Sequence, residues 1–164
     1  MARIDAEQPL FPSLLDRLLD DEPENSREPA KSRYQVMRDL KQSVRRDLEN
    51  LLNTRWRCAQ WPPDLDQLEE SLANYGIPDF SGTNFGSAES REHLRGIVEQ
   101  VIRKFEPRFK SVKVMLLSNK DETDRRLRLR IDAVLYAEPV PEHVVFDSKL
   151  EPIRGDFAVD TESA

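Results

Sequence analysis

Few residues in this chain are arranged so that they could do chemistry, and the arrangement that stands apart is Glu106-Pro107-Arg108. Proline fixes its own backbone angle and pushes the preceding residue out of helical conformation, so an acid and a base on either side of it form a rigid unit. Glu106 closes a helical pattern, at the end of a helix where an anion is disfavoured by ~0.3–1 kcal/mol. Arg108 follows at once in an extended segment. One reading is a local ion pair that shapes a helix-to-strand corner. The expected one is a two-sided polar grip, exposed at that corner and directed at another chain.

Other chemistries find less support. Glu92, Glu99 and Glu106 recur at intervals of seven, which places them along one side of a helix at ~10.5 Å steps. A glycosidase needs two carboxyl groups ~5–9.5 Å apart and facing each other; glutamates on a solvated face are the expectation here. The five glycines form no phosphate-binding loop. His93 and His143 lie far apart, and Cys58 has no metal-ligand spacing around it, so Cys58 reads as a structural thiol. No catalytic residue, metal site or cofactor is expected. Arg126, Arg128 and Arg130 alternate along a strand pattern and could track phosphates. Asp124 and Asp132 flank them, so a solvated or protein-facing surface is the expectation, with no nucleic acid as partner. Leu14, Leu15, Leu18 and Leu19 make a short apolar stripe, too short to be stable alone, that could fold back on this chain or dock on a partner.

The elements that must position these residues follow from period. Val36, Leu40, Val44, Leu48, Leu51 and Leu52 predict a helix over Tyr34–Asn53. Its basic arc, including Arg38, Lys41 and Arg45, is expected to be solvated. Trp56 and Trp61 read as core covers around the break at Pro62-Pro63, and Asp64 is placed to cap a short helix through Leu65, Leu68 and Leu72, ended by Tyr75-Gly76. Phe80 and Phe85 anchor a turn-rich stretch. Ser87 or Ser90 starts the best helix, whose apolar face is Leu94, Ile97, Val98, Val101, Ile102 and Phe105. Beyond Pro107 the period becomes two: Val112, Val114 and Leu116, then a polar turn over 119–124, then Leu127, Leu129, Ile131 and Ala133 opposite the arginines. A third strand is expected around His143–Phe146. Helices first and an antiparallel sheet after make an α+β fold.

Composition sets the outer limits. The 164 residues carry a net charge of −6, with 38% hydrophobic and 34% charged residues. That suits one domain whose core is small or completed by a partner. No run approaches the ~20 apolar residues of a membrane-spanning helix, and the first residues lack the apolar segment of an export signal. With Cys58 alone there is no internal disulfide, and a reducing cytoplasm is the expected setting. Charge divides the chain: residues 1–32 carry −4, residues 33–57 carry +4 and residues 151–164 carry −3. The expected division is an amphipathic segment and acidic linker over 1–32, a domain over 33–150 and a mobile acidic tail over 151–164.

At this point particular motifs add to the general pattern. Ser43-Val44-Arg45-Arg46-Asp47-Leu48-Glu49-Asn50-Leu51-Leu52-Asn53-Thr54-Arg55 resembles the first-helix signature of the TssE family of type VI secretion baseplate proteins. Pro78-Asp79-Phe80-Ser81, Asn84-Phe85, Ile102-Arg103-Lys104-Phe105 and Glu106-Pro107-Arg108 match the rest in order, so the similarity runs from about residue 10 to about 155. The family is related to a small phage baseplate wedge protein long labelled a lysozyme. The resemblance implies a bacterial cytoplasmic structural subunit, in a baseplate docked at the inner-membrane complex, rather than an enzyme. It implies a sheath-like strand-exchanging fold that templates the first ring of the contractile sheath. It also implies that Glu106, Pro107 and Arg108 bind the wedge's core helical bundle, made by TssF and TssG. The alternative that the old label suggests is a peptidoglycan hydrolase using Glu106.

Overall fold

The computed structural model describes residues 32–56, 71–80, 83–118, 126–137, 140–151 and 155–161, with the single positions Leu18 and Asp64. Among the described residues, two long helices precede a four-stranded sheet: α1 (Arg33–Asn53), α2 (Ala88–Phe105), β1 (Phe109–Leu117), β2 (Leu127–Leu135), β3 (Glu142–Glu151) and β4 (Asp156–Thr161). This is the α+β order that the change of period predicts.

Each helix begins where a serine can satisfy free amides. Ser32 and Gln35 form a reciprocal capping box at the start of α1, and Ser87 accepts from Ser90 N at 3.1 Å at the start of α2. The stripes then bury as spaced, with Leu40, Val44, Leu48, Leu51 and Leu52 from α1 meeting Leu94, Val98, Val101 and Ile102 from α2. The sheet is an antiparallel meander in the order β1-β2-β3-β4. Val112, Val114, Leu129, Ile131, Ala133, Leu135, Val144, Phe146, Leu150, Phe157 and Val159 turn inward to the same core. Helix α1 lies against β4 and α2 against β1, so both helices sit on one face and each reaches one edge.

Several expectations change. The stretch 151–164, expected to be a mobile tail, supplies β4, which pairs with β3 from Phe146↔Thr161 to Glu151↔Asp156. The basic arc of α1 is not simply solvated. Arg45 Nη1 donates to Val159 O at 2.9 Å and Lys41 Nζ pairs with Glu142 at 2.9 Å, so both tie α1 to the sheet. Leu72, expected on a short helix ended by Tyr75-Gly76, opens a one-turn 3-10 helix, Leu72–Asn74, capped by Ser71 and ended by Tyr75, and is 83% exposed. Phe80 is buried and Phe85 packs against the core, their ring centroids 6.2 Å apart, as anchors should. Leu65, Leu68, Trp61, Cys58 and the polar turn over 119–124 lie outside the described residues.

One close approach depends on glycine. Ile77 N donates to Thr54 O at 2.9 Å and Trp56 N donates to Ile77 O at 3.1 Å, joining the end of α1 to the segment after the 3-10 turn. Gly76 there has φ +110°, and a Cβ would run into Thr54 O. Gly96, by contrast, sits inside α2 with open space where a Cβ would go. Two opposite outcomes are expected from one substitution type, read by urea unfolding at constant m. Gly76→Ala should lower the unfolding free energy by at least ~1 kcal/mol. Gly96→Ala should raise it by ~0.5–1 kcal/mol.

Candidate functional site

The Glu106-Pro107-Arg108 corner is built from both sides. Helix α2 ends as proline dictates: Glu106 is its C-cap, with φ −116° and ψ 84°, and Glu106 N closes the last turn on Ile102 O at 2.9 Å. Tyr136 N, just past the end of β2, donates to Arg108 O at 2.9 Å, and a register shift between Phe109 and Ser111 lets the chain enter β1. The backbone of the corner is therefore held at both ends.

The side chains turn inward, and this corrects the expectation of an exposed grip. Glu106 is only 5% exposed. Its two carboxylate oxygens are gripped side by side by Arg108, whose Nε donates to Oε1 at 2.6 Å and whose Nη2 donates to Oε2 at 2.5 Å. Such a fork is the strongest common side-chain pairing, because two charge-assisted bonds share one plane. Arg108 then reaches across to α1. Nη2 donates to Asp47 Oδ2 at 2.8 Å and Nη1 to Ser43 Oγ at 3.3 Å. Asp47 also receives Arg46 Nη2 at 3.5 Å. The cluster thus locks the α2–β1 corner onto the face of α1.

Electrostatics follow from this packing. Burial works against the charge on Arg108, but the hydrogen bonds and negative charges of Glu106 and Asp47 outweigh it and hold the guanidinium above its ordinary value. Tyr75 is half-buried beside the cluster, its ring meeting Phe105 edge-on at 5.3 Å. Burial first, then the negative charges of Asp47 and Glu106, raise its phenol above the ordinary value, while Arg108 opposes them. What stays open to solvent is the outer part of the cluster: the side chains of Arg108 and Asp47 keep 24% and 26% exposure.

Of the remaining sequence-predicted residues, those that the structure describes do not join this corner. Arg126, Arg128 and Arg130 belong to β2 and its approach. Arg128 stands between Leu117 and Lys149 on the sheet face away from the helices, and Arg130 between Met115 and Asp147. Arg130 Nε donates to Asp147 Oδ1 at 3.2 Å, so this row is a mixed-charge surface rather than a run of bare cations. Leu18 is 81% exposed, while Leu14, Leu15 and Leu19 lie outside the described residues. Of the evenly spaced glutamates, Glu92 is solvated, but Glu99 accepts Val114 N at 3.1 Å and is not. Sequence reasoning missed Ser43 and Asp47 as members of the site. Their signal was a spacing of four on one helix face, inside the very segment that carries the first-helix resemblance.

The Glu106 carboxylate is buried, and both of its oxygens accept from Arg108. Asp47 shares the same Nη2 rather than facing Glu106 across a cleft. The arrangement can hold two elements in register and present a partly open Arg–Asp pair.

The family described as baseplate wedge protein gp25 matches residues 38–140, a span from within α1 to just short of β3. Among solved structures, a chain of "The baseplate complex from the type VI secretion system" is similar with a TM-score of 0.47 and 19% identity, over 70% of this chain and 96% of that one. Comparison with curated proteins finds no match.

Removing the guanidinium should be felt first as instability. Arg108→Met leaves Glu106 buried without its cation; breaking a buried pair costs ~3–5 kcal/mol, and the partial exposure of Arg108 and Asp47 places this loss near the lower end. Arg108→Lys keeps the charge but not the fork and should fall between, as read by urea unfolding. The phenol gives a second readout. Tyr75→Phe should delete a late-ionising component from the alkaline ultraviolet titration, and Arg108→Met should push that component still higher. Because the folded phenol resists ionisation, its contribution to stability is intact below pH ~10 and is lost as pH rises through the folded value.

Proposed function

The chain belongs to the baseplate wedge protein gp25 family, and from that membership we propose that it is a structural subunit of a type VI secretion baseplate, joining the wedge's core helical bundle to the first ring of the contractile sheath. The residues that resemble TssE, from Ser43-Val44-Arg45-Arg46-Asp47 to Glu106-Pro107-Arg108, support the type VI assignment. In this reading the partners are TssF and TssG at the corner and sheath subunits beyond it, on the cytoplasmic side of the inner membrane. Among the described residues, no helix is long and apolar enough to cross a membrane.

The observation that carries the reading is the division of labour inside the corner. Glu106 is spent internally, as the buried anchor that orients Arg108. Arg108 and Asp47 keep open edges at a place where two helices and a strand meet. A helical partner offering a backbone carbonyl or carboxylate to Arg108, and a donor to Asp47, would find both groups already oriented, so little ordering cost remains on binding. Arg126, Arg128 and Arg130 offer a second, mixed-charge face, and the segment with Leu14, Leu15, Leu18 and Leu19 a third contact. The hydrolase alternative fares worse, because a general acid must present its proton to the leaving group, whereas both oxygens of Glu106 meet Arg108.

Capture separates these readings. Asp47→Asn leaves the Glu106–Arg108 fork in place and should keep the fold, yet weaken co-purification with TssF and TssG roughly tenfold or more, as expected for losing a charged hydrogen bond. Undiminished capture by both Asp47→Asn and Arg108→Lys would remove the corner from the interface. Lysis of purified cell walls by the wild type, abolished in Glu106→Gln, would overturn the structural role itself.

A further inference from the structure

The sheet has two outer strands, β1 and β4, and an outer strand offers alternate N–H and C=O groups as a template for another chain. Both edges are occupied from within, but by different chemistry. On β4, the amide of Asn53 donates to Phe157 O at 2.9 Å and accepts from Phe157 N at 2.8 Å, while Arg45 takes Val159 O. Those two side chains project from α1, whose stripe is locked in the core. On β1 the seal is a row of charges one helical turn apart on α2. Glu99 Oε2 accepts Val114 N at 3.1 Å, Arg95 Nη1 donates to Val114 O at 3.3 Å, and Arg103 Nη2 donates to Val112 O at 3.1 Å. Ion pairs of 2.8 Å from Arg95 and 2.7 Å from Arg103 converge on Glu99, and Arg95 also holds Glu92 at 2.6 Å.

The strand beneath this row is one that would pair readily. Val112-Lys113-Val114-Met115-Leu116-Leu117 is apolar apart from a single charge and includes two β-branched valines, the composition of a self-associating segment. Two identical strands meeting antiparallel at their edges also satisfy a two-fold axis, so a second copy of this chain is a self-complementary partner.

We infer that Arg95, Glu99 and Arg103 act as an edge guard: they occupy the Val114 N–H and the carbonyls of Val112 and Val114, and so prevent β1 from pairing with β1 of a second copy. Glu99 is the keystone, because it alone among the three accepts the Val114 N–H and it fixes both arginines. This inference is independent of the proposed baseplate role.

The test uses the full chain. Glu99→Ala, Glu99→Gln and the double variant Arg95→Ala/Arg103→Ala are compared with wild type by sedimentation velocity over a series of concentrations, with circular dichroism to verify the fold. Hydrogen exchange at the Val114 amide is followed in parallel. Glu99→Gln retains an oxygen for Val114 N but loses the ion pairs to Arg95 and Arg103, and should fall between wild type and Glu99→Ala. Glu99→Ala should self-associate at least ~10-fold more tightly, and its Val114 amide should gain protection as concentration rises. If Glu99→Ala loses its native dichroism, the double variant carries the same expectation, since it opens two carbonyls and leaves Glu99 in place. The inference is overturned if the folded open-edge variant associates no more than wild type, or if it associates while Val114 stays unprotected.

Discussion

The fold turns on one guanidinium. Arg108 takes both oxygens of Glu106 at the end of α2 and then bonds to Asp47 and Ser43 on α1, so a single side chain joins the two helices and the first strand. Among the described residues, helix-to-helix packing is otherwise carried by apolar stripes, whose non-directional contacts fix depth more sharply than sliding or rotation. A planar fork fixes both, because its bonds have direction. Pro107 makes the arrangement possible by ending α2 at Glu106 and opening the turn, closed by Phe109 N on Glu106 O at 3.3 Å, that folds Arg108 back over Glu106. The cost of burying the Glu106 carboxylate is offset only while the arginine is present.

Much else follows from the same economy of polar side chains. The chain is rich in charge for its size, and the structure uses that charge to tie elements together. Lys41 reaches Glu142, Arg45 and Asn53 hold β4, Arg55 reaches Gly155 O, and Glu99 with its two arginines holds β1. Surface ion pairs are worth little by themselves. Those that also satisfy strand backbone are different, since an edge N–H or C=O without a partner is an invitation to another chain.

The regular elements could be read from the sequence because their periods were long and uninterrupted. The stripe from Val36 to Leu52, the face from Leu94 to Phe105 and the alternation from Leu127 to Ala133 each fold as spaced. What could not be read rests on partners distant in the chain. The alternation in β4 covers only Phe157 and Val159 amid acidic neighbours, and its anchor is Asn53, more than a hundred residues away. Glu106 carries the signature of an exposed anion until Asp47 and Ser43 of α1 complete its arginine. Gly76 shows no mark in sequence that its backbone must pass against Thr54. The motif resemblance singled out this corner, but the direction its charges face is a property of the tertiary packing.

The central claim is that Glu106 and Arg108 act as one unit inside the fold, with the open side of Arg108 and Asp47 left for a partner. A double-mutant cycle on unfolding free energy, with Glu106→Gln, Arg108→Met and the pair together, measures that unit directly. A coupling energy of ~1–3 kcal/mol, with the double variant more stable than the sum of single losses implies, is the predicted result. Single losses that simply add, within ~0.5 kcal/mol, would contradict the account and return the corner to two independent surface charges.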